Sequence, residues 1–346
     1  MGFTKRIGLK DIAQNLNVSK TAVSLVLNNK GDENKISKFT QERIHAYAKK
    51  HNYEPSSIAR DLSLGKTQTI GLIIPRISDG FYAKTAGFIE ERAMEMGYTV
   101  VFSSSNENPR KESMLIRSML NRHVDGLIIA STQRNHSEIQ SLRENNFPFV
   151  LIDRHYPNVD TNYVIVNNFG GVNTITKHLI RLGRKRIGFI SIKSELDAMV
   201  QRFNGYVEAI RYCQEYQNEP LMKFLNNSDY DSQMENELSD LYFSSKSIDG
   251  LVFSTHYLAR AGIRALKKLD INIPGDVAIT SFSESTDFDL IEPPITTVQQ
   301  PIKDISVAAL DILINELEGK KSLQTSNKQK VLDLKFSIRK SCGSKI

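Results

Sequence analysis

The first part of the fold is decided by SKTAVSLVLNN at residues 19–29, which follows DIAQNLNV at residues 11–18. Apolar residues recur at helical spacing on both sides of the join, at Leu9, Ile12, Ala13, Leu16, Val23, Val26 and Leu27. Asn17 tolerates the left-handed backbone of a tight turn, and Ser19 is a good N-cap. The pattern therefore predicts two short helices joined by a tight turn, with the polar side of the second helix facing outward.

A third helical pattern, SKFTQERIHAYAKKHNY, occupies residues 37–53, and Ser37 is its expected N-cap. Three short helices with a tight turn between the first two form a helix-turn-helix domain. Composition alone does not separate this arrangement from an ordinary three-helix bundle. Contact with DNA is therefore a hypothesis at this point.

Charge is distributed unevenly along the chain. Residues 1–69 contain 12 Lys and Arg against 6 Asp and Glu, and their net charge of +6 equals that of all 346 residues. An excess of positive charge in one small module is typical of a module that binds a polyanion such as DNA. The alternative is a solvated surface that happens to be basic.

The composition and the apolar runs exclude several other classes of protein. With 40% hydrophobic and 24% charged residues, the chain is typical of a globular protein of two or three domains. The apolar runs, such as IGLII at residues 70–74, are far shorter than the roughly 20 residues of a membrane helix, and the start lacks a secretory signal. We therefore expect a cytoplasmic protein. Cys213 and Cys342 are far apart without a CxxC spacing, so we expect plain thiols.

From residue 70 onward, short β-branched runs alternate with helical patterns. The runs lie at residues 70–74, 98–102, 125–130, 149–152, 163–166, 187–191, 249–253 and 277–280. Apolar strands separated by helices indicate parallel α/β sheets. VDGLIIAST at residues 124–132 is repeated as IDGLVFSTH at residues 248–256. The sequence thus predicts two similar lobes, with a ligand cleft where the carboxyl ends of their strands meet.

Short motifs in a fixed order extend over nearly the whole chain. They are LKDIA (9–13), VSKTAVSLVLN (18–28), NYEP (52–55), SSIARDLSLGKTQTIGLIIP (56–75), FYAKTAGFIEERAMEMGYTVV (81–101), RHVDGLIIAST (122–132), VLIDR (150–154), GGVNTITKHLIRLGRKRIGFI (170–190), RFNGYVEAI (202–210), IPGDVAITSF (273–282) and PPITTVQQP (293–301). In these motifs the sequence resembles the LacI/GalR family of bacterial transcription regulators. The resemblance implies an α/β protein with an N-terminal helix-turn-helix domain, a hinge, and a two-lobed core of parallel sheets like that of type I periplasmic binding proteins.

The resemblance also implies domain boundaries. We expect a DNA-binding domain at residues 1–54, a hinge helix or linker at 55–69 and an effector-sensing core at 70–346. Within the core, we expect the N-lobe at about 70–166 and 299–328, and the C-lobe at about 167–298 and 329–342.

Candidate DNA contacts follow from the same resemblance. Lys20 and Thr21 match positions that read base edges, whereas Ser19, Ser24 and Asn28 match positions that bind phosphates. The complete candidate set is Leu9, Ser19, Lys20, Thr21, Ser24, Leu25, Asn28, Tyr53, Ser56, Ala59 and Leu62. Two residues depart from the family pattern, since Leu25 stands where arginine is common and Gly8 where threonine is common. We therefore transfer no consensus operator.

Leu62 matches the hinge leucine of the family. In the family, two hinge segments fold together on the operator, and a leucine from each enters the minor groove at a central pyrimidine-purine step. The alternative is that Leu62 packs on its own domain.

Candidate effector contacts lie near the strand ends of the core. They are Asp79, Phe81, Tyr82, Ser131, Asp153, Arg202, His256 and Gln300. Arg202 matches the family's arginine that binds effector oxygens, and a guanidinium suits hydroxyl pairs or a carboxylate. Phe81 and Tyr82 could instead pack in the core, Ser131 and Gln300 could be ordinary structure, and Asp153 could be a structural partner of Arg154.

Two departures concern the kind of effector. Thr255 and His256 replace an Asn-Asp pair that is usual in the family, and SFSE at residues 281–284 replaces a more acidic run. His256 could bind a different ligand or could be solvated. Loss of acidic groups while Arg202 is kept favours an acidic or phosphorylated effector over a neutral sugar.

The sequence thus predicts a transcriptional repressor of carbohydrate-utilisation genes, not an enzyme, that binds a pseudo-palindromic DNA operator as a homodimer. A small-molecule effector, a sugar or sugar derivative, would switch its operator affinity, and we expect no cofactor and no metal. One alternative is control by a protein corepressor. Another is a cleft enzyme with a DNA-binding head, although the common catalytic and nucleotide-binding motifs are missing. GGVNTITKH at residues 170–178 opens a helix and could hold a phosphate, but it lacks a third glycine.

Overall fold

A computed structural model describes residues 7–51, 53, 66–211, 220–245, 247–319 and 328–345. The chain divides into two compact units, Met1–Gln68 and Thr69–Ile346. Most of the expected hinge, including Ser56, Ala59 and Leu62, lies outside the described residues.

The described residues of the first unit form three helices, α1 (Leu9–Leu16), α2 (Lys20–Leu27) and α3 (Lys38–Lys50). The turn before α2 uses Asn17 in the left-handed conformation, with φ of 54°. Both predicted caps are present, since the Ser19 side chain accepts from the Ala22 N–H and the Ser37 side chain from the Thr40 N–H. A small core holds the three helices together through Ile12, Ala13, Val23, Val26 and Ile44. The predicted three-helix arrangement is confirmed.

The first lobe of the second unit is built on a sheet of six parallel strands in the order β11-β5-β4-β3-β1-β2. Its strands are β1 (Thr69–Ile74), β2 (Thr99–Ser104), β3 (Gly126–Ile129), β4 (Phe149–Ile152), β5 (Tyr163–Val166) and β11 (Gln329–Leu332). Its helices are α4 (Gly80–Glu95), α5 (Pro109–Asn121), α6 (His136–Glu144) and α11 (Ile302–Leu317). The central strands are buried on both faces, as their unbroken apolar runs predict.

The second lobe repeats this plan with the order β12-β10-β9-β8-β6-β7, in which β12 alone runs antiparallel to its neighbour. Its strands are β6 (Ile187–Ile192), β7 (Leu221–Leu225), β8 (Gly250–Phe253), β9 (Ala278–Phe282), β10 (Thr296–Gln299) and β12 (Lys335–Ser337). Its helices are α7 (Asn168–Arg181), α8 (Asp197–Arg211), α9 (Tyr230–Tyr242) and α10 (His256–Lys268). All eight predicted strands are present, and the two lobes follow the internal repeat.

The sheet order corrects one expected boundary. The expected C-lobe includes residues 329–342, but β11 pairs with β5 of the first lobe, from Gln329 beside Tyr163 to Leu332 beside Val166. Only the following strand, β12, joins the second sheet. β11 is a short edge strand with three exposed residues out of four, so its sequence carries little hydrophobic signal.

None of the helices in the described ranges has both the length and the apolar character needed to cross a bilayer.

Candidate functional site

The outer side of α2 presents the residues that sequence reasoning singled out. Lys20, Thr21 and Asn28 are exposed, while Val23 and Val26 of the same helix are fully buried. Ser24 and Leu25 are half-buried, and the Asn28 amide donates to the Ser24 carbonyl at 2.8 Å. The exposed polar side of α2 is therefore available for contact with base edges and phosphates.

Two of the remaining DNA-contact candidates have structural roles in the first unit. Leu9 and Tyr53 are partly buried and pack against the core of the three helices.

A cavity of about 450 Å³ lies between the two lobes of the second unit. Seven of the eight predicted effector residues line this cavity: Asp79, Phe81, Tyr82, Asp153, Arg202, His256 and Gln300. They come from segments that follow β1, β4 and β10, from the first turns of α4 and α10, and, for Arg202, from the second turn of α8. The predicted convergence of strand ends on one cleft is therefore present.

The first-lobe wall is formed by an aromatic pair and two carboxylates. The Asp79 side chain caps α4 by accepting from the Phe81 N–H at 2.9 Å. Phe81 and Tyr82 are buried and pack edge to face. The Tyr82 hydroxyl donates to Asp153 at 2.6 Å. Burial raises the pKa of Tyr82 well above its ordinary value, so this hydroxyl remains a donor.

A buried ion pair that sequence reasoning missed lies beside this wall. Arg154 donates from its two Nη atoms to the two carboxylate oxygens of Glu107, at 2.7 and 2.8 Å, and its Nε lies 3.4 Å from Asp153. Burial alone would raise the pKa of Glu107, but the hydrogen bonds and charge of Arg154 outweigh it and lower that pKa. Arg154 therefore favours the charged form of Glu107. Sequence reasoning considered Arg154 only as a partner of Asp153.

The second-lobe wall contains the buried guanidinium of Arg202. Its Nε donates to Asn168 Oδ1 at 2.8 Å, its Nη1 donates to the Ser254 carbonyl at 3.0 Å, and it lies 3.8 Å over the Phe282 ring. Burial lowers the pKa of Arg202 to about 10, which leaves it charged at neutral pH. Within the described part of the chain, Arg202 has no carboxylate ion-pair partner, and its Nη2 makes no hydrogen bond.

His256 and Gln300 place further polar atoms in the cavity. His256 begins α10, and its Nε2 lies 3.7 Å from Asp79 Oδ1 of the opposite lobe. Burial lowers the pKa of His256, although Asp79 opposes this effect. The Gln300 amide donates to Ser283 Oγ at 3.3 Å, whereas its buried Oε1 has no hydrogen-bond partner among the described residues.

Ser131 is not in the position that the prediction of an effector contact requires. Ser131 does not line the cavity and is fully buried. Its Oγ donates to the buried carboxylate of Glu112 at 2.9 Å and lies 2.8 Å from the Tyr156 hydroxyl. The hydroxyl is therefore used to build the loop after β3. The strand end was located correctly, but the partner on α5 was not visible in the sequence.

The glycine-rich start of α7 is already capped and closely packed by other side chains. Asn167 Oδ1 already caps this helix by accepting from the Gly170 N–H at 2.8 Å. A Cβ at Gly171 would lie 2.7 Å from the Phe282 ring, so this glycine allows close packing. Among the described residues, no group of three or more His, Cys, Asp or Glu side chains is placed to hold a metal ion.

Comparisons with known proteins cover both units of the chain. Residues 8–56 match the family described as bacterial regulatory proteins of the lacI family, and residues 67–335 match periplasmic binding proteins and the sugar-binding domain of the LacI family. The ribose operon repressor of Halalkalibacterium halodurans is 30% identical over 92% of both chains. The catabolite repressor/activator of Escherichia coli is 25% identical over 90% of this chain and 92% of that protein.

Solved structures show the same architecture. The lac repressor dimer bound to operator and the anti-inducer ONPF has a TM-score of 0.83, at 19% identity over 98% of this chain and 99% of that one, which shows the fold alone. The complex of the transcriptional regulator CelR with cellobiose has a TM-score of 0.70, at 26% identity over 97% of this chain and 100% of that one.

A helix-turn-helix unit with an exposed polar helix, followed by a two-lobed core with a polar cleft, defines a DNA-binding transcription regulator with a ligand-sensing core. The chain belongs to the LacI family of bacterial regulatory proteins.

Proposed function

We propose that the protein represses carbohydrate-utilisation genes as a homodimer on a pseudo-palindromic operator, and that an effector in the cleft switches its operator affinity. Support comes from the relatives, which include a ribose operon repressor and a catabolite repressor/activator. Base reading is assigned to Lys20 and Thr21, which are exposed on α2. The protein acts by binding rather than by catalysis, and it is found on the nucleoid while its operator is occupied.

The effector we propose is a small polyhydroxylated molecule that carries a carboxylate or phosphate group. The observation that supports this class is Arg202, which is buried at the cleft and which, among the residues that the structure describes, has no carboxylate partner and no hydrogen bond at Nη2. A buried charge without a counter-ion is costly, and an anionic ligand supplies the counter-ion. A guanidinium with a free N–H also suits a carboxylate or phosphate oxygen.

The carboxylates of the cleft already have partners. Glu107 is paired with Arg154, Asp153 accepts from Tyr82, and Glu284 accepts from Arg339 at 2.9 Å. Hydroxyl groups of the ligand would face Asp153, whose contacts with Tyr82 and Arg154 both use Oδ2. The anionic group would face Arg202.

A ligand that touches both lobes changes operator affinity only if it favours one lobe arrangement over another. Arg202 and His256 belong to the second lobe, whereas Tyr82 and Asp153 belong to the first. A ligand that contacts both groups therefore favours the closed arrangement. By linkage, the operator changes effector affinity by the same factor as the effector changes operator affinity.

The proposal is tested in two stages with the purified full-length protein. In the first stage, fragments of the source genome are captured at near-physiological salt and sequenced. We expect a few sites that share a pseudo-palindrome with a central pyrimidine-purine step. Uniform, salt-sensitive retention would instead indicate binding through charge alone.

In the second stage, calorimetric titration compares D-ribose with D-ribose 5-phosphate and D-glucose with D-gluconate. At least one anionic compound is expected to bind tenfold or more tightly than its neutral partner, and Arg202→Met is expected to remove that difference. Tight binding of a neutral sugar without binding of its anionic partner would refute the anionic class. If none of the compounds changes the operator affinity, control by a protein corepressor is favoured.

A further inference from the structure

A hydrogen bond joins the two lobes at the edge of the cleft. Gln133 belongs to the loop after β3 in the first lobe, and its Oε1 accepts from the backbone N–H of Asp197 at 2.9 Å. Asp197 is the first residue of α8 in the second lobe. The side-chain acceptor for this helix N-terminus therefore comes from the opposite lobe.

The sequence before α8 explains why an external acceptor is needed. The first N–H groups of a helix have no partner within the helix, and the preceding residue usually supplies a polar side chain. Here the preceding residue is Leu196, whose side chain has no acceptor. The nearby Ser194 hydroxyl accepts from the Leu196 N–H at 3.2 Å, which leaves the Asp197 N–H to Gln133.

Gln133 is held in place by the buried network around Glu112. The Glu112 carboxylate is fully buried and accepts from the Ser131 hydroxyl, the Thr132 N–H and the Asn135 amide at 2.9, 2.6 and 2.9 Å. Next in the loop, the Gln133 N–H donates to Ser131 Oγ at 3.1 Å.

The backbone conformation of Gln133 and both polar atoms of its carboxamide favour the contact with Asp197. The residue has a positive φ of 58°, which turns the chain at the edge of the cleft. The amide nitrogen of Gln133 donates to the His155 carbonyl of the same lobe, while Oε1 points across to Asp197. The carboxamide is therefore oriented from its own lobe toward the other.

The capped helix is the one that carries Arg202. Arg202 follows Asp197 by five residues, which is about one and a half helical turns. Its guanidinium is fixed by Asn168 and the Ser254 carbonyl, so small shifts of α8 would move its Nη2 relative to the cavity.

The contacts of His256 with Asp79 and of Arg134 with Glu195 also cross between the lobes but are weaker. His256 and Asp79 are 3.7 Å apart, which exceeds hydrogen-bond distance. Arg134 and Glu195 are 3.9 Å apart with highly exposed side chains, and such pairs contribute little.

We propose that Gln133 is a positioning residue that caps α8 across the cleft, so that closure of the lobes and fixing of the helix that bears Arg202 are one event. Opening of the lobes withdraws the cap and frees the first turn of α8. The inference rests on the proposed role of the cleft as the effector site. Its test needs neither effector nor operator, so its failure and failure of the proposed function are distinguishable.

The test is hydrogen–deuterium exchange of the full-length protein, followed in peptides that cover residues 195–202. Gln133→Met removes the acceptor and keeps the side-chain size, and it is expected to speed exchange in these peptides about fivefold or more. Gln133→Glu keeps an acceptor and adds negative charge at a helix N-terminus, so exchange is expected to stay at the wild-type rate or below it.

Gln140→Met is the matched control. Gln140 lies in α6 of the same lobe and donates to Glu144 within its own helix, so its loss is expected to leave residues 195–202 unchanged. Equal exchange in Gln133→Met and the wild type would overturn the inference. The inference would also be overturned if exchange were faster by the same factor in Gln133→Met and Gln133→Glu, or if exchange in β6 became faster as well. Either result would mean that the substitution loosens the fold in general.

Discussion

Arg154 and Glu107 form a two-point ion pair beside the cleft, in which both Nη atoms of the arginine reach the carboxylate at 2.7 and 2.8 Å. Arg154 is almost completely buried, while Glu107 retains partial exposure, with 27% of its side chain accessible. The pair fixes the loop after β2 to the end of β4.

Glu107→Gln is predicted to lower the free energy of unfolding by about 2 kcal/mol, because it leaves the buried charge of Arg154 only partly compensated by Asp153. Urea unfolding followed by circular dichroism measures the change, since the chain has no tryptophan. Glu235→Gln provides the control, because the exposed Glu235–Lys268 pair should contribute at most about 0.5 kcal/mol. Equal losses in the two variants would contradict the prediction.

Gly205→Ala is predicted to destabilise the core by about 3 kcal/mol, because α7 and α8 pack too closely for a methyl group there. A Cβ at Gly205 would lie 2.3 Å from the backbone oxygen of Phe169, which cannot move aside as a flexible side chain could. Thermal unfolding or urea unfolding measures the loss.

The same substitution at Gly87 is predicted to change the free energy of unfolding in the opposite direction. Gly87 is exposed in α4 and has open space around its Cβ position, so Gly87→Ala should raise stability by about 0.5 to 1 kcal/mol through helix propensity. A stabilising effect of Gly205→Ala would show that the two helices are not in close contact in solution.

His256 is predicted to make the core less stable as the pH falls below about 6.5. Burial lowers the pKa of His256 in the folded chain. The charges of Arg202 and Arg260 lower this pKa further, whereas those of Asp79 and Asp287 raise it by less than the total lowering. The unfolded chain therefore binds a proton at a higher pH than the folded chain does. Above the unfolded pKa both states are neutral at this residue, so it contributes no pH dependence there.

Urea unfolding of the wild type and His256→Gln between pH 7.5 and pH 5 measures this difference. The wild type should lose more stability than the variant, by a fraction of the roughly 1.4 kcal/mol per pH unit that one full proton gives. Parallel pH profiles of the two proteins would be inconsistent with a lowered pKa at His256.

Thr21→Ala is predicted to weaken binding to the captured operator by about 1 to 3 kcal/mol while leaving non-specific DNA binding within about twofold. Thr21 is exposed on α2 and matches a base-reading position, and its removal changes no charge. Fluorescence anisotropy with operator and scrambled duplexes at one salt concentration measures both affinities.

Ser19→Ala separates stability from base reading. Loss of this cap should destabilise α2 by about 1 kcal/mol. Because the whole helix is then less stable, the affinities for operator and scrambled DNA should fall together. An equal effect of Thr21→Ala on both duplexes would remove Thr21 from the base-reading set.

Much of the fold could be read from periodicity because the residues concerned carry their own signal. The apolar stripes of α1 and α2, which include Ile12, Val23 and Val26, and the cap at Ser19 are local features, so they predict both helices without reference to tertiary contacts. The apolar runs of the central strands had the same property. The edge strand β11 did not, because its exposed residues take their conformation from pairing with β5.

The location of the cleft could be predicted from the sequence, but the residues that line it could be predicted only in part. Tyr82 is predicted because it follows a parallel strand whose carboxyl end meets the cleft, whereas Arg202 is predicted through the resemblance to the LacI/GalR family. Ser131 follows such an end yet faces away, because the buried carboxylate of Glu112, 19 residues earlier, takes its hydroxyl. Glu107 escaped notice because its partner Arg154 is 47 residues away in the chain.

The sequence by itself determined the two-unit organisation, the helix-turn-helix order, the repeated α/β pattern and the family, since all of these depend on local spacing and on motifs that stay in order. Only the tertiary structure decided which polar side chains pair across the core, such as Gln133 with the first N–H of α8. The physical reason is that a hydrogen bond depends on distance and direction in space. Residues that are far apart in sequence acquire these only when the strand order of both sheets is set.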